Sequence, residues 1–213
     1  MPRLEEAKSR ILTTHTGSLP RPDSLSALLF ARITKQPYDA EALKTQTTRA
    51  VADTVRTQME MGIDIVSDGE QSKTSFQLYA TDRLGGIEPI TPPLGEYRTR
   101  ENMAFPKTYV GGAHSGSQRA RWACTGPLTY ANLEPLKRDL ENLKAALKGL
   151  DPVDVFMPSV SPSSCAGTME NRYYKSDEEH VEAVAEIMRV EYETIVAAGF
   201  CVQIDDPRLA MHY

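Results

Sequence analysis

Ile63-Asp64-Ile65-Val66-Ser67-Asp68-Gly69-Glu70 is the stretch on which the fold of this chain turns. Ile63, Ile65 and Val66 form a short apolar run directly behind Gly62, a residue suited to ending a helix, and the run breaks into Ser-Asp-Gly-Glu. An apolar β-segment therefore delivers two carboxylates to a tip. In parallel α/β folds ligands gather at the carboxyl ends of strands, where loops vary in front of rigid backbone, so Asp68 and Glu70 are candidate site residues. The same letters also suit a turn acid and a first-turn helix acid, and this stretch alone leaves both readings open.

Upstream of the tip, Asp39 is placed to cap a long helix ending at Gly62, with Leu43, Val51, Val55 and Met59 along one face. Before it, Ile11 to Thr14 is β-compatible and opens into His15-Thr16-Gly17-Ser18-Leu19-Pro20-Arg21-Pro22. Two prolines and a glycine exclude regular structure there and predict a fixed loop at a strand end. Pro22-Asp23-Ser24 then starts a helix carrying Leu25, Leu28, Leu29 and Ile33.

Downstream, Gln71 to Gly111 holds Gly85-Gly86, Pro89, Pro92-Pro93 and Pro106 and is too long for an ordinary connection. It reads as an excursion over about 71–117, a hairpin or covering loop rather than core. Gln118 to Cys124 alternates as a strand and stops at Thr125-Gly126-Pro127; Leu133 to Leu150 is a helix with Leu136, Leu140, Leu143 and Leu147 on one side. Val153 to Met157 is the next strand, followed by a Pro/Ser loop over 158–164. Ser176-Asp177-Glu178-Glu179 is a capping box, in which the serine accepts the Glu179 amide while Glu179 reaches back. Val181, Val184, Met188, Tyr192 and Ile195 line the helix it opens, and Gly199 closes it. Phe200 to Ile204 is the last strand and ends in Asp205-Asp206-Pro207. Five strand ends alternate with helices and no linker divides them, which predicts one domain over 1–213 built as an unfinished wheel of β/α units.

The net charge of −5, with signs interspersed, offers no basic face for nucleic acid. No apolar run approaches the roughly 18 residues that span a bilayer, and the opening residues lack a signal-peptide core, so the expectation is a cytoplasmic protein without a membrane partner. Cys124, Cys165 and Cys201 are odd in number and far apart, and His15, His114, His180 and His212 show no ligand spacing. The chain writes no self-contained metal site. Trp122 and Cys124 are assigned to core packing, His114 and His180 to solvated positions, and Cys165, in a site-side loop, is the cysteine to test for reactivity.

Four of the strand-end motifs occur together in a known order. Thr13-Thr14-His15-Thr16-Gly17-Ser18-Leu19-Pro20-Arg21, Ser67-Asp68-Gly69-Glu70, Thr125-Gly126-Pro127-Leu128-Thr129 and Gln203-Ile204-Asp205-Asp206-Pro207 resemble the catalytic C-terminal domain of the cobalamin-independent methionine synthase family. Asn171-Arg172-Tyr173-Tyr174 is similar to the short stand-alone members and the epoxyalkane:coenzyme M transferase relatives. The resemblance implies a TIM (β/α)8 barrel, with about five of eight β/α units in this chain. It implies zinc-dependent transfer of a methyl or alkyl group to a thiol, typically homocysteine, from a carrier such as methyltetrahydrofolate. On that pattern Thr16 and Ser18, beside His15, hold an amino-acid carboxylate, while Glu70 and Asp205 hold the ammonium, with Asp68 and Asp206 as further candidates.

Two departures accompany the likeness. His15 stands beside the Gly-Ser where the family more often has another residue, and Asp206 replaces an acid usually written as Glu. The family's zinc ligands, a His-x-Cys pair, a Glu and a further Cys, follow the fifth strand, so the resemblance puts them beyond Tyr213. The expectation is an N-terminal part of a barrel, inactive by itself, completed by a missing half or a second chain. The same motifs leave room for a metal-free substrate-binding module, an alkyl or coenzyme M-type thiol transferase, and a decarboxylase of the uroporphyrinogen type on the same barrel.

Overall fold

The computed structural model describes residues 3–90, 104–105, 121–207 and 209. After a 3-10 turn at Arg3–Lys8 come α1 (Asp23–Ile33), α2 (Ala40–Glu60) and β1 (Ile65–Val66), and a second 3-10 turn at Leu78–Asp82 leads to β2 (Leu84–Ile90). Then follow β3 (Arg121–Tyr130), α3 (Glu134–Ala146), β4 (Asp154–Val160), α4 (Pro162–Ala166), β5 (Met169–Asn171), α5 (Asp177–Ala197) and β6 (Cys201–Asp205).

One sheet is parallel throughout, in the order β1-β4-β6, and a parallel bridge from Thr14 to Ile65 adds the first β-compatible run on its far side. Asp64 clamps that run: its carboxylate accepts from the Thr13 amide at 2.7 Å and the Arg10 guanidinium at 2.6 Å. Val51 and Val55 of α2, Leu136, Leu140 and Leu143 of α3, and Ile195 of α5 pack on Val66 and Met157. Leu25 and Leu29 dock α1 on Leu43 and Ala50 of α2. Strand, helix and parallel strand thus recur as the sequence pattern requires, because each helix buries its apolar stripe on the sheet. Among the described residues the sheet is an open arc, with β6 on one edge and the Thr14 segment on the other.

The second sheet, β2-β3-β5, departs from the sequence expectation. The strand expected at Gln118 to Cys124 is part of β3, which lies outside the parallel arc; it pairs antiparallel with β2 and parallel with β5. Thr125-Gly126-Pro127 sits inside β3 and does not end it. Alternation marks a half-buried strand but does not name its neighbours. Cys124 and Leu128 of β3 meet Tyr79, Ala80, Leu84, Val160 and Met188 in a second apolar cluster, so Tyr79, Ala80 and Leu84 of the expected excursion are core. Its continuation over 91–103 and 106–117, with His114, lies outside the described residues, as does His212. Gly86 lies at a register shift against β3 with φ +83°, and a Cβ there would stand 2.4 Å from the Pro127 carbonyl oxygen. That close backbone approach admits only glycine.

The expected Pro/Ser loop is also structured. β4 runs on through Val160, and Ser161 caps the short α4 by accepting the Ser164 amide. Pro158 is tolerated inside β4 because β1 pairs only as far as Val155, so beyond that point one side of β4 has no ladder to interrupt among the described residues. The cap of α5 forms as expected on the serine side, where Ser176 Oγ accepts the Glu179 amide at 3.2 Å. The Glu179 carboxylate reaches one residue further back than a capping box requires, to the Lys175 amide at 3.1 Å. Ser176→Ala is expected to cost about 1 kcal/mol in a urea titration, the usual value of an N-cap; an unchanged midpoint would count against this cap. No helix among the described residues is long and apolar enough to cross a membrane.

Candidate functional site

Two loops meet at the carboxyl ends of the first two parallel segments. The Leu19 amide donates to the Gly69 carbonyl at 3.0 Å, and the Gln71 side-chain amide donates to the carbonyls of Leu19 and Pro20, each at 3.3 Å. Arg21 donates to the carbonyls of Glu70 at 2.6 Å, Lys73 at 2.8 Å and Gln71 at 3.3 Å. From beneath, Gln58 of α2 holds Ser67 through both ends of its side-chain amide, the oxygen accepting from the backbone N–H at 3.2 Å and the NH2 donating to the carbonyl at 2.8 Å. Gly69 has φ +62°, and a Cβ would collide with Thr54 at 2.7 Å. Glu70 itself adopts φ +57°, a left-handed conformation that costs a non-glycine residue roughly 1 kcal/mol and that this bonding holds in place.

The restraint aims a carboxylate. Glu70 is 1% exposed; Oε2 accepts the Ser18 hydroxyl at 2.5 Å, and Oε1 has no hydrogen-bond partner among the described residues. Asp68 is equally buried, with Oδ1 accepting the Glu70 amide at 2.9 Å and Oδ2 unpartnered among the described residues. Burial pushes the Asp68 carboxyl above the ordinary range, against the pull of the Lys73 charge. Asp205, at the end of β6, is half-buried and accepts from the Gln203 side-chain amide at 2.9 Å. Burial raises it too, the Gln203 hydrogen bond opposes this, and the Glu70 charge adds to it.

Ser18 and Asp68 are therefore bonded to Glu70 where the two loops meet, the mouth of the candidate site, and Asp205 is near enough to feel the Glu70 charge. Asp206 points elsewhere: its carboxylate accepts the hydroxyls of Ser163 at 2.8 Å and Ser164 at 2.9 Å, tying β6 to α4. Burial pulls its carboxyl up, but these serine donors outweigh it and hold the group low. His15 is half-buried and Thr16 exposed, and neither hydrogen-bonds another described side chain.

Two sequence assignments are corrected. Cys165 is fully buried, and burial followed by the Glu191 charge pushes its thiol up to about 12, so it is no nucleophile. His180 is not solvated: it is 3% exposed and stacked on Tyr174 at 5.9 Å between ring centres, and burial lowers its pKa against the opposing Asp177 charge.

Behind the mouth lies a buried network that no motif announced. Glu191 of α5 accepts from Tyr79 at 2.6 Å, Ser159 at 2.7 Å, Tyr130 at 2.5 Å and Arg83 at 3.0 Å, while Arg83 also pairs with Asp139 at 2.7 Å. It joins the two sheets and α3. Lys73, 3% exposed, lies between network and mouth, with its ammonium on the Pro158 carbonyl and 4.4 Å from the Tyr79 ring centre. The signal for Glu191 and Asp139 was present: each stands at helical spacing on an otherwise apolar face, among Val184, Met188 and Ile195 or Leu136, Leu140 and Leu143.

The arrangement suits a small cation bearing several N–H donors, since two buried carboxylate oxygens and a half-buried acid await hydrogen bonds. Zinc does not fit the described residues, which contain no group of three or more His, Cys, Asp or Glu able to hold a metal.

Comparison with known proteins agrees with the motif resemblance. No family model matches the chain. It is similar to a methionine synthase of Sulfolobus acidocaldarius, 25% identical over 199 residues, covering 92% of this chain and 52% of that protein. Among solved structures, it resembles a B12-independent methionine synthase from Shewanella sp. W3-18-1 in complex with selenomethionine, with a TM-score of 0.65 and 23% identity over 92% of this chain and 51% of that one. A structure from Listeria monocytogenes, assigned as a vitamin B12-independent methionine synthase, aligns at TM-score 0.66 and 17% identity over 95% of this chain and 54% of that one. The structural likeness establishes an α/β fold of this type, and the chain spans about half the length of the relatives it matches.

Proposed function

We propose that this chain is the amino-acid-gripping half of a methyltransferase of the B12-independent methionine synthase kind, taking homocysteine as acceptor and a methylated carrier such as methyltetrahydrofolate as donor. The observation that carries the reading is Glu70: a buried carboxylate in a left-handed backbone conformation, one oxygen on Ser18 and the other unpartnered among the described residues. The Arg21 charge offsets part of its burial, but the open oxygen is costly to leave without a donor, and an α-ammonium supplies one. Asp205 is the second acceptor. Thr16, Ser18 and the backbone of the Gly17 loop face the ligand's carboxylate, with His15 beside them.

In this reading zinc and its ligands come with a completing half, a second chain or a longer form of this one, docked on the open edges of the parallel arc. The residues described here bind and orient the zwitterion. Alone, the chain is a binding module without turnover. The carboxylates at the mouth argue against a thiol of the coenzyme M type and against a uroporphyrinogen as ligand. The first carries a sulfonate and no ammonium, and the second carries many carboxylates, so both would meet like charge at Asp68, Glu70 and Asp205.

The test is isothermal titration of the chain with L-methionine, L-homocysteine and 2-mercaptoethanesulfonate at neutral pH. Saturable binding of the two amino acids with none of the sulfonate is the expected result. Preference for the sulfonate, or no binding of either zwitterion, overturns the reading.

A further inference from the structure

We propose that Arg21 is a positioning residue that sets Glu70 for the ligand's ammonium by gripping the backbone behind it, rather than by lending the carboxylate its charge. The inference rests on the reading of the mouth as an ammonium site and gives a task to a side chain that the motif resemblance leaves without one. Arg21 stands between Pro20 and Pro22. The two rings fix φ on either side, and the second also restricts Arg21 itself to extended backbone, so the guanidinium is carried on a stiff mount. From there Nη2 donates to the carbonyls of Glu70 at 2.6 Å and Lys73 at 2.8 Å, and Nε donates to that of Gln71 at 3.3 Å. One side chain from the loop that carries Ser18 thus holds three carbonyls of the loop that carries Glu70.

The bonds around the tip divide by position. Gln58 grips Ser67, the Leu19 amide holds the Gly69 carbonyl and Asp68 takes the Glu70 amide, all on the side where the chain arrives at Glu70. On the side where it leaves, the Glu70 carbonyl accepts from Arg21 and from the Lys73 amide at 3.1 Å. A φ of +57° needs both sides pinned, because a non-glycine residue released from either relaxes toward negative φ. That relaxation would swing the carboxylate away from the Ser18 hydroxyl it now meets at 2.5 Å. A guanidinium suits this task where an ammonium does not: its donors form a rigid planar fork, so bonds to separate carbonyls fix direction as well as distance. Arg21 spends these donors on carbonyls and forms no ion pair among the described residues, which leaves Glu70 Oε1 open. Burial lowers the pKa of this half-buried group and the charges of Glu70 and then Asp68 oppose that, so a pure charge role is the rival that the experiment must separate.

The test is a double-variant cycle in the full chain, with L-methionine affinity measured calorimetrically for Arg21→Lys in the parent and in the Glu70→Gln background. Lysine keeps the charge and loses the fork. Arg21→Lys is expected to weaken methionine binding about 10-fold or more in the parent, because a displaced Glu70 no longer meets the ammonium. Where Glu70→Gln has already removed that bond, the same exchange should cost less than about 3-fold. General loosening of the loops would cost the same factor in both backgrounds. A smaller loss in the parent, or a loss above about 3-fold in the Glu70→Gln background, overturns the proposal. Should Arg21→Lys not fold, nitrogen NMR of the unmodified chain decides: separate, slowly exchanging Arg21 Nη resonances that saturating methionine leaves in place support the grip, and a single averaged signal ends it. A parent chain that binds no methionine would sink the ammonium reading, while the slowly exchanging guanidinium would leave the grip on the Glu70 backbone standing.

Discussion

Arg83→Met is expected to lower the unfolding free energy by about 3–5 kcal/mol, the cost of breaking a buried ion pair from one side. Arg83 is buried, bonded to both Glu191 and Asp139, and its loss strands two carboxylates that have almost no access to water. Glu191 keeps the three hydroxyls of Tyr79, Tyr130 and Ser159, so it is cushioned; the described structure gives the Asp139 carboxylate no other hydrogen bond. The double variant Arg83→Met/Glu191→Gln is expected to recover part of the loss, because the amide carries no charge to desolvate: its oxygen accepts Tyr79 and Ser159, and its NH2 donates to a Tyr130 hydroxyl that turns to accept. Burial alone would raise the Glu191 carboxyl, but the Arg83 charge and the tyrosine hydroxyls overcome it, and the folded value lies below the ordinary one.

A group whose pKa is depressed by folding contributes stability that is present above its unfolded pKa and lost as pH falls through the folded one. The gap between parent and Arg83→Met should therefore be widest near neutrality and close in acid. Urea titrations at several pH values check both statements. A gap under about 1 kcal/mol, or one that ignores pH, would show that the network does not bear the joint between the two sheets.

The legible part of this fold was the part that repeats. Helices α2, α3 and α5 announce themselves because Val51 and Val55, Leu136, Leu140 and Leu143, and Val184 and Met188 hold helical spacing, and the short runs at β1, β4 and β6 follow the glycines or turns that end them. Strand β3 was legible as a strand and misplaced as a neighbour, since Cys124 and Leu128 satisfy alternation equally in an arc or in an antiparallel pair. Acids at strand ends were readable as site candidates because ligands gather at the carboxyl ends of parallel strands, although the same letters suit turn and first-turn helix acids. Which of them meet was not readable: Asp205 faces the mouth and its neighbour Asp206 faces three serines, a choice set by the last peptide of β6 and the start of α4. Lys73 was missed because a lysine in a polar loop looks solvated until the loop is known to fold back onto Pro158 and Tyr79.

Glu70→Gln is expected to move stability and binding in opposite directions. The charged side chain stands in a mouth where Asp68 and Asp205 are also acidic and where its Oε1 finds no donor among the described residues. Replacing it by the isosteric amide removes a desolvated negative charge from beside two others, while the amide oxygen still accepts the Ser18 hydroxyl; the free chain should gain about 1 kcal/mol. The ammonium of a bound amino acid meanwhile loses its charge-assisted bond, about 1.5–3 kcal/mol, which is a fall of about 10- to 100-fold in methionine affinity. The left-handed backbone at this position is untouched by the exchange, so the two effects report the carboxylate alone. A structural acid gives the reverse pattern, in which Glu70→Gln lowers the denaturation midpoint and leaves ligand affinity alone. Thermal melts with and without L-methionine on parent and variant separate the two: the ligand-induced rise in Tm should be large in the parent and nearly absent in the variant, even though the variant starts from the higher melting point.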